Sequence, residues 1–254
     1  LPLVEPRTDR QFLDDCRARR ADDVETLKHR EKPGRTDGIH PQYLARLIDE
    51  HASDNAIFTA DGGSPMVWML RHLTARGERR FLTSLLHGTM ANAYPQALGI
   101  QLAYPDRQVI ALCGDGGFTM LMGDILTLKQ AKIPVKLAIF NNGSLGFVEM
   151  EQRVEGLLDA YTDLDNPGFA RLAEVCGLSG FRVDDPDALE AAVTRWLAAP
   201  GPAILDVKVN PVELVMPPKI TAKQVGGSLL FGMKAVADGR FEELLELARN
   251  NLTD

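Results

Sequence analysis

The chain has 254 residues, of which 45% are hydrophobic and 25% are charged, and its net charge is −7, a composition that fits one α/β domain with extensions. The acidic balance argues against a nucleic-acid partner, because phosphate contacts along a nucleic acid need a basic face that these residues do not supply. Three widely spaced cysteines without CxxC spacing favour a reducing compartment over a disulfide framework, and the sequence contains neither an apolar run of about 20 residues nor a secretory leader.

The N-terminal part differs from the rest in its charge pattern. Residues 7–37 interleave Asp and Arg and contain a Pro-Gly break, which predicts a solvated helix followed by a linker. The next segment begins at Pro41, a residue favoured in the first turn of a helix, and apolar residues then recur at helical spacing as far as His51. Because the chain starts at Leu1 rather than Met, we expect it to be a piece of a longer protein.

Strand and helix patterns alternate through the central part of the chain. The predicted strands are Ala56–Ala60, Phe81–Leu85, Gln108–Cys113, Val135–Asn141, Gly180–Val183 and Ala203–Val209. The predicted helices between them are Asn92–Ala103, Thr119–Ala131, Pro167–Cys176 and Pro186–Ala198. Since Val, Ile and Leu runs separated by helices are typical of a parallel sheet covered on both faces, we predict an α/β protein, a three-layer αβα fold with a mostly parallel six-stranded sheet.

This alternation divides the chain into three regions. Residues 1–38 are predicted to form a charged helix and linker, residues 39–212 the α/β domain, and residues 213–254 a C-terminal appendage. One helical face of the appendage carries Phe241, Leu244, Leu245, Ala248 and Leu252. An amphipathic helix is therefore expected, but its polar side is mostly acidic, so an ordinary packed helix competes with a membrane-seeking one.

The stretch "ALCGDGGF" places one carboxylate, that of Asp115, between glycines at the end of a predicted buried strand. In a parallel sheet, ligands collect outside the carboxyl ends of the strands, and a glycine turn that leads into a helix lets a diphosphate approach the backbone. A tight Asp-Gly turn without a ligand is the alternative interpretation of this stretch.

A second polar residue follows the next strand. Asn142 lies 27 positions after Asp115, one helix and one strand later. If the two strands are neighbours, about 4.8 Å apart, both side chains point toward the same place. A carboxylate oxygen, an amide oxygen and a backbone carbonyl, which we assign to Ser144, are hard ligands that suit Mg²⁺ or Ca²⁺. The sequence therefore predicts a metal site that anchors a diphosphate.

Several stretches together resemble the C-terminal cofactor domain of the pyruvate:quinone oxidoreductase family, whose members use thiamine diphosphate. The signature is GDG followed by a double Asn at the end of the next strand, here "GDGGFTMLMGDILTLKQAKIPVKLAIFNN". The stretches "IHPQYLA", "HGTMANAYPQALG", "FNNGSLGFVEMEQ", "FARLAEVCG" and "ELVMPPKI" also resemble this family. The likeness covers nearly the whole chain, is loose over residues 7–37, and implies the thiamine-diphosphate-binding fold.

The resemblance implies a role for each matching residue. It implies that Asp115, Asn142 and the carbonyl of Ser144 bind Mg²⁺. Cofactor contacts are implied at Gly62, Gly63, Ser64, Gly88, Met90, Gly116 and Gly117. In this family the residue at Met90 forces the cofactor into a bent conformation, and the carbonyl at Gly88 accepts from its pyrimidine amino group. Without the resemblance, Met90 is interpreted as a core methionine.

The resemblance also implies which residues face the reaction. Phe147, Val148 and Glu151 match catalytic positions on the substrate and flavin side of the cofactor. Without the resemblance, Glu151 belongs to a solvated helix face, and Ser64 before a proline is a helix N-cap. The stretch "MEQR" lacks the Trp that acetolactate synthases tend to show there, which favours the oxidoreductase family.

For the whole protein, the resemblance implies oxidative decarboxylation of pyruvate to acetate and CO₂, with electrons passed through FAD to a quinone. In this family, FAD is held mainly by another domain, and the carboxylate that protonates the pyrimidine ring also comes from a different domain. Neither domain is expected within these 254 residues, so no turnover is expected from the chain alone. The family likeness further implies a homotetramer, a cytoplasmic location, and lipid contact of the tail at the inner face of the cell membrane.

Two alternatives remain open at the level of sequence. The first is another thiamine diphosphate enzyme, such as an acetolactate synthase or a different 2-keto acid decarboxylase or lyase. The second is a non-catalytic α/β binding module in which GDGG is only a turn. A dinucleotide site is not favoured, because Thr119 stands where the GxGxxG pattern needs a small residue.

Overall fold

The computed structural model describes residues 8–28, 31–33, 38–213 and 222–252. The strands are β1 Ile57–Ala60, β2 Arg80–Thr83, β3 Val109–Gly114, β4 Lys136–Asn141, β5 Ser179–Val183 and β6 Ala203–Lys208. They form one sheet in the order β2-β1-β3-β4-β6-β5, and every pairing between them is parallel. The predicted six-stranded sheet is thus confirmed, and it is parallel throughout rather than mostly parallel.

Helices cover both faces of this sheet. The helices are α1 Gln11–Leu27, α2 Pro41–His51, α3 Ser64–His72, α4 Ala93–Ala103, α5 Asp115–Leu121, α6 Ile125–Ala131, α7 Gly146–Val154, α8 Phe169–Val175, α9 Leu189–Ala198, α10 Ala222–Ala237 and α11 Phe241–Leu252. Alternate strand residues enter two separate cores: Phe58 packs with α2, α3 and α9, whereas Ile57 packs with α4, α6 and α8. This alternation produces the three predicted layers.

Two helices show how local sequence decides burial. Helix α2 begins at Pro41, and its apolar spacing buries Leu44, Leu47 and Ile48 completely against the sheet. Helix α1 has no buried residue, as its mixed charges predict. The sheet domain is therefore built from patterned segments, and α1 forms no part of its core.

The predicted helix Thr119–Ala131 differs from the structure. Helix α5 begins at Asp115, because the strand ends in an extended Gly114 and the Asp115 carboxylate accepts from the N–H of Gly116. A 3₁₀ turn, Met122–Asp124, then separates α5 from α6. Gly123 lies inside that turn, and glycine weakens a continuous helix there.

The C-terminal appendage forms two helices where it is described. Helix α10 packs against α7, with Phe231 and Ala235 buried, and α11 contacts α10. The predicted amphipathic helix corresponds to α11, whereas residues 214–220 of "ELVMPPKI" lie outside the described residues. No helix in the described part of the chain is both long and apolar enough to cross a bilayer.

Candidate cofactor and metal site

A cleft opens at the carboxyl edge of the sheet, where β1, β3 and β4 end. It encloses about 660 Å³ of space, including its open mouth. Of the residues predicted to bind metal or cofactor or to act in catalysis, all but Gly88 and Glu151 line it. Ligands of parallel sheets bind at this edge, so the cleft has the location expected of a functional site.

Asp115 lies at the inner wall of the cleft, one residue after β3. Its side chain is buried and accepts three hydrogen bonds: Oδ1 from the N–H of Gly116 at 2.9 Å, and Oδ2 from the N–H of Gly143 and from Nδ2 of Asn166, each at 2.7 Å. Burial raises the pKa of Asp115, and these three bonds oppose that rise. A nearby cation would favour the ionised form further.

Asn142 and Ser144 lie on the neighbouring strand end. Strands β3 and β4 pair in register up to Gly114 opposite Phe140, so the loop after β4 lies beside Asp115. Ser144 donates its backbone N–H to Oδ1 of Asn142 at 3.3 Å. Gly143 between them has a φ of 70°, a conformation that glycine adopts without strain. The structure thus brings all three predicted metal ligands to one cleft wall.

These donors fit a hard divalent cation. An ionised carboxylate offers about four acceptor positions, and Asp115 uses three, which leaves one for a ligand. Among the described residues, no three His, Cys, Asp or Glu side chains are grouped around a potential ion. An ion held here by one carboxylate, one amide and one carbonyl would need further oxygens from its ligand, which suits Mg²⁺ bound together with a diphosphate.

Glycines form the floor of the cleft because a side chain would not fit. A Cβ atom at Gly116 would lie 2.7 Å from Leu145, one at Gly117 would lie 2.4 Å from Oδ2 of Asp61, and one at Gly62 would lie 2.2 Å from the carbonyl oxygen of Gly88. Each of these Cβ positions is thus taken by protein atoms, and the main chain of the three glycines, without side chains, lines the cleft. The N–H of Gly116 is engaged by Asp115, so it is not available to a diphosphate in the way that the sequence suggested.

The two residues predicted to contact the pyrimidine ring, Met90 and Gly88, differ in their placement. Met90 lines the cleft, half-buried, and its Cε is 3.5 Å from the position of a Cβ on Gly116. Gly88 is exposed, with a φ of 57°, and its carbonyl oxygen lies against Gly62. Ala91, next to Met90, has a φ of 59°, which is unusual for a residue with a Cβ. The roles of Met90 and Gly88 stay predictions.

The predicted catalytic residues do not all face the cleft. Phe147 and Val148, in the first turn of α7, line it. Phe147 also packs against the core, as does Met150 one turn later. Glu151 is exposed and does not line the cleft, although it lies one turn after Phe147 on the same side of α7. Its catalytic role is a prediction that this placement does not support.

Similarity to known proteins agrees with this geometry. Residues 61–207 match the family described as thiamine pyrophosphate enzyme, C-terminal TPP binding domain. The chain belongs to this family. The matched segment runs from the first glycine loop of the cleft to the end of β6, so it contains every predicted ligand residue.

Relatives of this thiamine pyrophosphate enzyme domain carry two kinds of name. The chain is 33% identical over 97% of its length, and 43% of the relative's, to the "Putative thiamine pyrophosphate-containing protein YdaP" of Bacillus subtilis. It is 36% identical over 71% of its length, and 28% of the relative's, to acetolactate synthase 1 of Nicotiana tabacum. The acetolactate synthase isozyme 2 large subunit of Escherichia coli is 31% identical over 71% of the chain and 33% of its own length. The chain therefore spans less than half of these relatives.

Asp61 is a residue of this thiamine pyrophosphate enzyme domain that the sequence analysis missed. It lies directly after β1, is buried and lines the cleft. Its Oδ1 accepts from the N–H of Ala93 at 2.8 Å, and its Oδ2 from the N–H of Gly114 at 3.2 Å. Burial raises the pKa of Asp61 to about 6. A strand-end Asp before two glycines, the same pattern as in GDGG, is the signal that could have drawn attention to it.

Three further polar residues, of which Asn141 and Asp206 are buried and Asn166 is half-buried, form hydrogen bonds behind Asp115. Asn166 donates to Asp115 and to Oδ1 of Asn141, at 2.7 and 3.1 Å. Asn141 donates to Oδ1 of Asp206 at 2.9 Å. The double Asn of the signature therefore has two different functions, since Asn142 lines the cleft and Asn141 points into the protein. Periodicity gave no sign of Asn166, which contacts Asp115 from 51 residues away.

Proposed function

We propose that this chain anchors thiamine diphosphate through Mg²⁺ in an enzyme that acts on a 2-keto acid. The observation that carries the proposal is the buried Asp115 carboxylate, which keeps one acceptor position and shares a glycine-floored cleft with Asn142 and Ser144. Family membership supports the cofactor, and the oxygen-only donor set supports the ion.

Each part of the cleft has a separate task in this proposal. Asp115, Asn142 and the carbonyl of Ser144 would hold the ion, which neutralises the diphosphate and fixes one end of the cofactor. The glycine floor at Gly62 and Gly117 would admit the phosphates close to the main chain. When bound, thiamine diphosphate supplies the nucleophile and the electron sink for breaking a carbon–carbon bond beside a carbonyl.

The apolar wall has the task of excluding water and orienting the reacting end. Met90, Phe147 and Val148 line the cleft and carry no group that titrates or donates a proton. They would restrict where a substrate lies and lower the local dielectric, which strengthens the electrostatic effect of the ion. In this proposal the proton-transfer groups come from elsewhere in the protein.

Acetolactate synthesis is the reaction that the named relatives favour. Two of the relatives described above are acetolactate synthases, at 36% and 31% identity. This reaction joins two pyruvate molecules and releases one CO₂, and it needs no electron acceptor. It was an alternative in the sequence analysis, and we propose it as the first activity to test.

Oxidative decarboxylation of pyruvate is the second candidate. It converts pyruvate, water and an oxidised acceptor to acetate, CO₂ and the reduced acceptor. The stretch "MEQR" without Trp favours it. FAD, a quinone, lipid contact through α11 and a homotetramer belong to this candidate and are predictions with it.

Calorimetry tests the Mg²⁺-dependent binding of thiamine diphosphate, which both candidate reactions require. Thiamine diphosphate is titrated into the full-length protein with Mg²⁺ and again with EDTA. We expect binding only with Mg²⁺, because the cleft offers the phosphates no arginine or lysine among its described lining residues. Equal binding under both conditions, or none under either, would contradict the proposal.

Product analysis then separates the two candidates. The full-length protein is supplied with pyruvate, Mg²⁺, thiamine diphosphate and FAD, with and without a quinone analogue. Acetolactate formed without the quinone identifies the synthase. Acetate formed only with the quinone, in equal amount to reduced quinone, identifies the oxidoreductase.

A further inference from the structure

Four polar side chains form a continuous hydrogen-bonded chain behind the metal site, which we call the Asp206 chain. It runs from Asp206 through Asn141 and Asn166 to Asp115. Asp206 is fully buried, and its Oδ2 accepts from Nη1 of Arg182 at 2.9 Å and from the N–H of Phe169 at 3.1 Å. Only the last member of the chain lines the cleft.

Asp206, at the end of the chain away from the cleft, determines which group donates and which accepts in every hydrogen bond of the Asp206 chain. Both carboxylate oxygens of Asp206 accept hydrogen bonds, Oδ2 from Arg182 and the N–H of Phe169 and Oδ1 from Asn141, so Asn141 turns its amino group toward Asp206. The carbonyl oxygen of Asn141 then faces Asn166, so Asn166 must be the hydrogen-bond donor in this contact. Asn166 consequently presents its amino group, rather than its carbonyl, to Asp115.

This direction decides which oxygen of Asp115 remains open. Oδ2 accepts two hydrogen bonds, from Gly143 and Asn166, and is saturated. Oδ1 accepts only one, from Gly116, and keeps a position for a ligand.

We propose that Asn166 is a positioning residue for the ion ligand Asp115: it holds the carboxylate in one orientation, with Oδ1 open. This inference rests on the proposed function. A purely structural role in holding the loop is the competing explanation. However, the loop is already tied by main-chain bonds, from Leu145 to the carbonyl of Thr162 and from Leu164 to the carbonyl of Gly143, both at 2.8 Å.

Magnesium titration of variants tests the proposal. Full-length protein in a solution that contains excess thiamine diphosphate is titrated with Mg²⁺ by calorimetry, for the unaltered chain, Asn166→Ala and Asn166→Ser. Asn55→Ala, at the opposite edge of the sheet, is the matched control. Outer partners of a metal ligand contribute about 10- to 100-fold to metal affinity, so we expect a loss of this size for Asn166→Ala and a smaller loss for Asn166→Ser.

A thermal melt without ligand separates positioning from stability. We expect Asn166→Ala to melt close to the unaltered protein while losing Mg²⁺ affinity, and Asn55→Ala to keep its Mg²⁺ affinity within about twofold. Saturating Mg²⁺ should restore thiamine diphosphate binding to Asn166→Ala. A Mg²⁺ affinity within twofold of the unaltered protein in either folded Asn166 variant overturns this inference and leaves the proposed function standing. If the unaltered protein shows no Mg²⁺-dependent binding, both fail.

Discussion

The neighbouring strands β1 and β3 each end in a buried aspartate, and the two carboxylates have different surroundings. Asp61 accepts from two main-chain N–H groups, of Ala93 and Gly114. Asp115 accepts from two such groups and also from the side chain of Asn166, and it shares its wall with Asn142. Neither pairs with a cation among the described residues, and burial raises the pKa of both.

From this comparison we propose that Asp115 binds a ligand and that Asp61 holds loops together. Asp115 has oxygen donors beside it on the next strand end, so an ion there completes a ligand set. Asp61 joins the ends of β1 and β3 to the start of α4, and its described polar partners are all donors of the main chain. We therefore expect Asp115 to affect Mg²⁺ binding and Asp61 to affect folding.

The largest effect is expected for Asp115→Asn. This change keeps the size of the side chain and removes the charge that faces the ion. Mg²⁺ affinity should fall by more than about 100-fold, since outer partners of a metal ligand are already worth about 10- to 100-fold. Calorimetry with saturating thiamine diphosphate measures it. Asp61→Asn is the paired control, and a larger loss in that variant would reverse the assignment of the two aspartates.

The pH dependence of stability should depend on Asp61. Its pKa is about 6 in the fold against 3.8 as the ordinary value, so the folded state binds the extra proton between these pH values. Protonation of Asp61 contributes on the order of 2 to 3 kcal/mol to the free energy of unfolding. This contribution is complete below pH 3.8 and is lost as the pH rises through 6. Urea unfolding from pH 4 to 7 should therefore show a smaller fall for Asp61→Asn.

The exposed Asp106 supplies the control for that series. Asp106→Asn should follow the pH dependence of the unaltered protein, because its side chain is solvated in the fold. Parallel curves for Asp61→Asn and the unaltered protein would show that Asp61 does not cause the pH dependence.

A smaller effect is expected at Gly117, which lies against the side chain of Asp61. In Gly117→Ala the new Cβ would lie 2.4 Å from Oδ2 of Asp61 and 3.2 Å from the backbone nitrogen of Ala91, so one of these groups must shift. We expect a loss of about 1 to 2 kcal/mol in unfolding free energy together with weaker thiamine diphosphate binding. Gly123→Ala is the matched control, because a Cβ there meets nothing within 4 Å. Equal stability of the two variants would contradict the close approach.

The smallest effect is expected for Glu243, which lies at the α11 end of a series of polar contacts that begins at Ser144 in the cleft. Ser144 donates to Glu149, Arg153 bonds both Glu149 and Glu243, and Arg240 also bonds Glu243. Glu243→Gln weakens the outer part of this network, and a partly exposed ion pair is worth at most about 1 kcal/mol. Chemical denaturation at low and high salt measures it. Glu242→Gln, on the exposed side of α11, should change nothing, and an equal loss there would contradict the specific role of Glu243.

The sequence predicted the parts of this molecule that depend on local pattern. Helix α2 was recognisable from Pro41 and its apolar spacing, and the strands from their apolar residues between helical patterns. Asp115 and Asn142 were recognisable because each follows a strand, and the parallel arrangement then brings them together. In these cases one rule of chain geometry converts a spacing into a contact.

The rest depends on contacts that no spacing encodes. Asp61 bonds Ala93 and Gly114, which are 32 and 53 residues away, and Asn166 bonds Asp115 from 51 residues away. The exposure of Glu151 does not follow from its spacing either, because it lies one turn after Phe147, which lines the cleft, on the same side of α7. These placements follow from tertiary packing, so only the folded structure shows them.

A crystal structure of the full-length protein with thiamine diphosphate and Mn²⁺ tests the central claim most directly, because the anomalous signal of manganese locates the ion without ambiguity. We predict one peak bonded to Oδ1 of Asp115, to the side-chain oxygen of Asn142 and to the carbonyl oxygen of Ser144. A peak beside Asp61, or a diphosphate bound in the cleft with no ion at Asp115, would contradict the account.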